Sequence, residues 1–341
     1  MVAHLRLLAL LALAPPLAAV GDAGLYCPGK PPQCAPGKQE ECGPLYSNTT
    51  AQYHARDTSC SNGDPNGMFY DAVHGMYHVF YQTFKGPPCD PPVPPCDSGT
   101  EVWGHVVSKD LATWTHLPAA IWTDHAYDSS GAWTGSATLV NGPANPVIMF
   151  PGLTAHGVFM NLAQPANHSD PHLVEWASET TNKSFTTDYS SAWQTADGDF
   201  LAVGHQGALY RGNRSFGNWT AVLGPALWPS GDCPDMFELP RVCGGCGGGG
   251  GAGDAGGAET PTHVFKHSIN PGGDVYQLGR YTPPAAGDTA SGGSWTNLSG
   301  FIPADYSRDV HGGSIMYASK SFNDTKRDRR VWFGGVSIGQ V

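Results

Sequence analysis

Along most of this chain, apolar and polar residues alternate over short runs bounded by glycine, proline, asparagine or aspartate. Such a pattern predicts extended segments joined by tight turns. The clearest instance is Ser61–Gln82, SNGDPNGMFYDAVHGMYHVFYQ. Asp64-Pro65-Asn66-Gly67 reads as an acidic turn, Met68–Tyr70 as a strand, Ala72–Gly75 as a second turn and Met76–Gln82 as the partner strand. Val102–Ser108 and Trp114–Leu117 flank a turn at Lys109–Leu111. Ala132–Leu139 reads as one strand with a close backbone approach at Gly135, followed by Pro146–Phe150 and Gly157–Leu162. Leu173–Trp176 and Tyr189–Trp193 frame a polar loop. Strand signals recur at Phe200–Gly204, Gly207–Tyr210, Trp219–Leu223, Met236–Leu239, His263–Lys266, Val275–Arg280, Ile315–Ala318 and Val331–Phe333. A helical period is almost never sustained beyond two turns. Groups of short strands recurring every ~50–60 residues predict an all-β fold, either a β-propeller or a sandwich. A propeller carries polar residues of its inner strands toward a central channel, so acids distant in sequence can meet at one pocket.

Composition narrows the function classes. The formal charge of −11 and the absence of a basic face exclude a nucleic-acid partner. Leu5–Val20 is almost wholly apolar apart from Arg6, and small residues at Ala19, Gly21 and Ala23 follow; residues 1–23 read as a secretory signal peptide. No later run is long and apolar enough to span a bilayer, so a secreted (extracellular) or vacuolar protein is expected. Residues 24–50 form a Cys/Pro/Gly-rich extension, and residues 243–260 a low-complexity glycine insertion. The nine cysteines suit an oxidising compartment; Cys27/Cys34 and Cys89/Cys96 could close local loops, with connectivity open. Sequons at Asn48, Asn167, Asn182, Asn213, Asn218, Asn297 and Asn323 agree with export.

The candidate chemistry is acidic. Asp64 in NGDPNG, Asp188 in TTDYSSAW, and Asp232 and Asp235 in GDCPDMFEL each precede or begin an apolar strand near aromatic residues. Glycosidic cleavage needs one carboxylate as nucleophile or base and another as proton donor, the pair lying across a small pocket about 5–5.5 Å apart for retention and wider for inversion. Each acid, taken singly, also suits turn capping.

The segments NGDPNGMFY, GMYHVFYQ, WGHVVSKDLATWTHLP, WTGSATL, NLAQPANHSDPHLVEW, DCPDMFEL, HVFKHSI and YASKSFNDTKRDRRVW, in that order, resemble the N-terminal catalytic domain of glycoside hydrolase family 32, the invertases and other β-fructofuranosidases. The resemblance implies a five-bladed β-propeller over residues 51–341, hydrolysis of sucrose or short fructans with retention, and no metal or organic cofactor. Asp64 then corresponds to the nucleophile, Asp188 to the transition-state-stabilising acid, and Asp232 to the general acid/base. Asn66, Gln82, Trp103, Ser136 and Asp235 are the expected substrate-binding or site-orienting residues.

The departures fall in the same motifs. Ser61 and Gly63 replace a Trp and an Asn ahead of the nucleophile, Thr187 and Tyr189 replace an Arg and a Pro around Asp188, and Asp232 stands where the family has Glu. The chain stops at Val341, ahead of the remaining fifth-blade strands and the C-terminal sandwich, so a propeller incomplete at its C-terminal end is expected. Two other readings stay open: a non-catalytic carbohydrate-binding protein derived from a glycosidase, or a truncated inactive fragment. Oligomeric state is not legible.

Overall fold

The computed structural model describes residues 55, 63–84, 100–222, 227–239, 260–269, 273–303 and 315–337. The expected signal peptide, the Cys/Pro/Gly-rich extension, the low-complexity insertion up to its last residue, and all cysteines except Cys233 lie outside the described residues.

Five antiparallel sheets follow one another along the chain, as expected of a five-bladed propeller. The first contains β1 (Pro65–Asp71), β2 (Met76–Phe84), β3 (Glu101–Ser108) and β4 (Thr115–Ile121). The second contains β5 (Gly131–Ala132), β6 (Ser136–Leu139), β7 (Pro146–Thr154), β8 (Gly157–Pro165) and β9 (Trp176–Ser184). The third contains β10 (Trp193–Gln194), β11 (Phe200–Val203), β12 (Leu209–Gly212) and β13 (Thr220–Ala221). The fourth contains β14 (Asp232–Glu238), β15 (His263–Ile269), β16 (Gly273–Thr282), β17 (Ser294–Asn297) and β18 (Ile302–Pro303). The fifth is the hairpin β19 (Ile315–Asp324) and β20 (Arg329–Ser337). No helix among the described residues is long and apolar enough to cross a membrane.

Each sheet buries an apolar face against the next. Phe69, Phe80 and Trp103 of the first sheet pack on Ala137, Ile148 and Phe150 of the second. Val147, Met149 and Met160 then meet Phe200, Ala202 and Tyr210 of the third, and Leu201, Val203 and Leu209 meet Met236, Phe265 and Tyr281 of the fourth. The two-stranded fifth sheet closes the ring. Phe322 packs with Met68, Tyr77 and Val79, while on its other side Trp332 meets Phe237 edge to face. Tyr77 donates its hydroxyl to Asp324 Oδ1 at 2.9 Å across the same seam.

Local chemistry explains where the observed strands differ from the expected ones. Gly67 is no turn residue; it lies inside β1, where a Cβ would sit 2.7 Å from the Ala137 nitrogen of β6. The expected strand Ala132–Leu139 is broken into β5 and β6 around Gly135, whose added Cβ would meet the Met149 carbonyl at 2.1 Å. Leu173 is not in a strand, and the polar stretch expected as a loop forms β9. This outer strand is largely exposed, so it needs no apolar alternation to pair with β8.

Because β19 and β20 close the ring, deleting their apolar contact should open it. Phe322→Ala should cost about 3–5 kcal/mol in denaturant unfolding, whereas Val73→Ala, on the exposed first turn, should change stability by less than about 0.5 kcal/mol.

Candidate active site

At one end of the ring each sheet contributes a side chain at or near the start of its first strand, and these surround an open cavity of about 330 Å³. Asp64 immediately precedes β1, Trp133 and Thr134 lie between β5 and β6, Asp188 precedes β10, Asp232 opens β14 and Tyr317 lies in β19. Gln82, Glu101, Thr187, His205 and Cys233 complete the lining.

Backbone irregularities aim these groups. Pairing slips between Pro65 and Gly67 in β1, between Asp232 and Asp235 in β14, and between Tyr317 and Lys320 in β19. Bulges of this kind rotate a strand locally and re-aim a side chain. Asp188 and Cys233 also hold left-handed backbone conformations, with φ of 59° and 46°. Non-glycine residues adopt that region at a cost, which surrounding contacts must offset. Those contacts are present: Asp188 N–H donates to the Thr134 carbonyl at 2.9 Å, and buried Lys266 donates its Nζ to the Cys233 carbonyl at 3.0 Å.

Asp64 is anchored on both sides. Its own carbonyl accepts the Gln82 N–H at 2.8 Å, and Gly63 N–H donates to the Gln82 carbonyl at 2.7 Å. Its Oδ2 accepts the Thr134 hydroxyl at 2.9 Å and faces the Cys233 thiol at 3.6 Å. Burial raises the Asp64 pKa above the usual carboxylate value, with the charge of Asp188 adding to it and the Thr134 bond opposing it. The Cys233 thiol is pushed well up by burial and is neutral, a donor rather than a nucleophile.

Asp232 is held from two directions. Tyr317 donates its hydroxyl to Asp232 Oδ2 at 2.7 Å, and His205 Nδ1 lies 2.9 Å from Oδ1. The same nitrogen is 3.3 Å from Asp188 Oδ2. The carboxylate of Asp188, followed by burial opposing it and by the charge of Asp232, leaves the His205 pKa raised. Donor atoms of Asp188, His205 and Asp232 fall within 4.8 Å of one another, close enough for a three-ligand metal site. His205 Nδ1 lies within ion-pairing distance of both carboxyl groups without a well-aligned hydrogen bond to either.

The expected site residues divide into two groups. Asp64, Asp188, Asp232 and Gln82 come together at the cavity. Asn66, Trp103, Ser136 and Asp235 are buried behind it. Trp103 donates its indole N–H to the Trp133 carbonyl at 3.1 Å, and Ser136 donates its hydroxyl to the Ser190 carbonyl at 2.7 Å, so both support the wall. Asp235 accepts the Ser321 hydroxyl from β19. The exposed aromatic at the cavity is Trp133, one residue before Thr134 in the WTGS segment. Glu101, Thr134, Cys233, His205 and Tyr317 likewise have no role assigned from sequence. Trp133, Thr134, Cys233 and Tyr317 lie inside the quoted segments, whereas His205, in VGHQG, carries no motif signal.

The family model for the glycosyl hydrolases family 32 N-terminal domain matches residues 57–340. An acid beta-fructofuranosidase from Vigna radiata var. radiata is 33% identical over 305 residues, covering 80% of this chain and 42% of that protein. A fructan 6-exohydrolase from Beta vulgaris is 31% identical over 326 residues, covering 85% of this chain and 48% of its own length. Among solved structures, fructan 1-exohydrolase IIa from Cichorium intybus in complex with 1-kestose superposes with a TM-score of 0.62 at 28% identity, covering 84% of this chain and 53% of that one. The chain thus spans about half the length of the relatives it matches.

A carboxyl whose folded pKa is raised makes its favourable contribution below the unfolded value and loses it as pH rises through the folded one. Asp64 therefore costs stability at neutral pH. Asp64→Asn should raise the melting temperature at pH 7, and the gain should vanish as pH falls below about 3.9. Thermal unfolding across pH checks both the sign and the window.

Proposed function

The chain belongs to glycosyl hydrolase family 32, and from that membership we propose that it hydrolyses terminal β-D-fructofuranosyl bonds, in sucrose or short fructans, by a retaining double displacement. Asp64 attacks the anomeric carbon of the fructosyl unit while the Asp232 carboxyl protonates the departing glycosidic oxygen. The resulting Asp64 ester is cleaved by a water that Asp232 deprotonates, returning both carboxyl groups to their starting states. Asp188 accepts hydrogen bonds from fructosyl hydroxyls, Gln82 supplies amide donors and acceptors, and Trp133 offers an aromatic face to the sugar's C–H surface.

The observation that carries this reading is the convergence of Asp64 and Asp232, from the first and fourth sheets, on one cavity of about 330 Å³, within the range of small-ligand sites. Asp232 is one methylene shorter than Glu, a loss of about 1–1.5 Å where misplacement by about 1 Å is already costly. The bulge after Asp232 is the local device by which the backbone can make up that reach. An exported destination, extracellular or vacuolar, belongs to the same proposal: the sequons at Asn167, Asn182, Asn218, Asn297 and Asn323 are all exposed.

One observation favours a second reading, sugar binding without turnover. Asp232 accepts a hydrogen bond from Tyr317 and faces His205, so both oxygens it would turn toward a leaving group are already engaged within the protein.

Sucrose hydrolysis followed by fructose release separates the two. Asp64→Asn should lower kcat by roughly 10³-fold or more, and the fructose first released should be the β anomer by NMR. Asp232→Glu should raise kcat by restoring reach. A folded wild-type protein that binds sucrose saturably and releases no fructose between acidic and neutral pH would establish the second reading instead.

A further inference from the structure

We propose that His205 is a positioning residue of this pocket: as an imidazolium it ties Asp188 to Asp232 and supplies the positive charge that Thr187 does not. This inference rests on the hydrolytic reading of the same site and adds to it a pH-dependent clamp.

The backbone around His205 is built to deliver the ring to that point. His205–Gly207 is a single 3₁₀ turn after β11. Its first N–H, that of His205, donates to the Thr187 carbonyl at 2.7 Å, next to Asp188. Its second, that of Gln206, donates to the Gly231 carbonyl at 2.9 Å, next to Asp232. Gln206 adopts φ 59°, and Gly207 has φ 78° with space for a Cβ denied by the Trp228 carbonyl at 2.8 Å. The turn is therefore stitched to both acid-bearing segments, and the imidazole reaches both carboxylates through Nδ1, at 3.3 Å and 2.9 Å.

Charge balance gives the clamp its purpose. Four carboxyl groups line the cavity, Asp64, Glu101, Asp188 and Asp232, and among the described lining residues His205 is the one side chain able to carry a positive charge. Tyr317 and Cys233 present neutral donors. The buried ammonium groups of Lys320 and Lys266 lie behind the wall and donate to backbone carbonyls. With a neutral imidazole, no positive charge faces Asp188 or the Asp232 carboxylate that forms once its proton has gone to the leaving group.

The sign follows from the raised His205 pKa. The clamp is fully present below the ordinary histidine range and is lost as pH rises through the folded value. Its loss should therefore add to the alkaline limb that ionisation of the Asp232 acid already gives, while deprotonation of Asp64 sets the acid limb.

Two measurements decide the matter. Heteronuclear NMR of the His205 ring in the wild-type protein should give a titration midpoint above 6.5, moving down toward that value in Asp188→Asn. A wild-type midpoint at or below 6.5 overturns the proposal, whether or not the protein turns over sucrose. The pH dependence of kcat/KM on sucrose should show an alkaline limb in the wild type. His205→Gln should lose about tenfold at the optimum and show an alkaline limb displaced from the wild-type one, left to the Asp232 acid alone, and His205→Arg, with a fixed charge, should keep more activity than His205→Gln on that side of the optimum. A His205→Gln enzyme with the wild-type pH profile overturns the proposal. A wild type with no turnover defeats the hydrolytic reading alone, and the ring titration then decides the clamp.

Discussion

One buried ammonium group fixes the relation between two of the three acids. Lys320, in the closing strand, donates its Nζ to the carbonyls of Tyr189 and Pro234, both at 3.0 Å. These residues follow Asp188 and Asp232 by one and two positions. Burial lowers the Lys320 pKa, partly offset by acids including Asp235 and Asp188. An ion taken out of water costs several kcal/mol unless its protons are used, and here they hold in register the very segments whose separation the chemistry depends on. Lys266 acts in the same way on the neighbouring Cys233 carbonyl, with Asp274 Oδ1 3.4 Å from its Nζ. Because Lys320 sits in β19, ring closure and site assembly are one event: a chain that did not dock this hairpin would lose Tyr317 and the bridge between the third and fourth sheets together.

The site then stores local cost that the ring can bear. Left-handed Asp188 and Cys233, bulges in three of the converging first strands, and a desolvated Asp64 all run against the regular geometry of the blades. Four well-packed inter-sheet cores and the edge contacts of Trp332 oppose them. Strain concentrated at one end of a rigid scaffold is the pattern expected where side chains are aimed rather than packed.

Much of this was legible from the sequence, and the limits have physical causes. Strand signals located all five sheets because buried blade faces demand apolar alternation. They failed at β9, whose exposed outer edge makes no such demand, and at Gly67, where glycine serves close contact with β6 instead of a turn. Motif order brought Asp64, Gln82, Asp188 and Asp232 to one cavity. It could not say which of two nearby tryptophans lines the cavity, since Trp103 and Trp133 differ by tertiary placement alone; the first is wholly buried and hydrogen-bonded to the carbonyl of the second. His205 was invisible for a stronger reason. Its place between two acids arises from backbone bonds to Thr187 and Gly231, and no local pattern encodes those.

Asp64 is proposed here as the nucleophile of a site to which all five sheets contribute. Rapid acid quenching of the protein during turnover of sucrose, followed by peptide mass analysis, tests it directly. The expected product is a peptide carrying one fructosyl ester at Asp64. An ester at Asp188 or Asp232 instead, or none during turnover that demonstrably retains configuration, would contradict it.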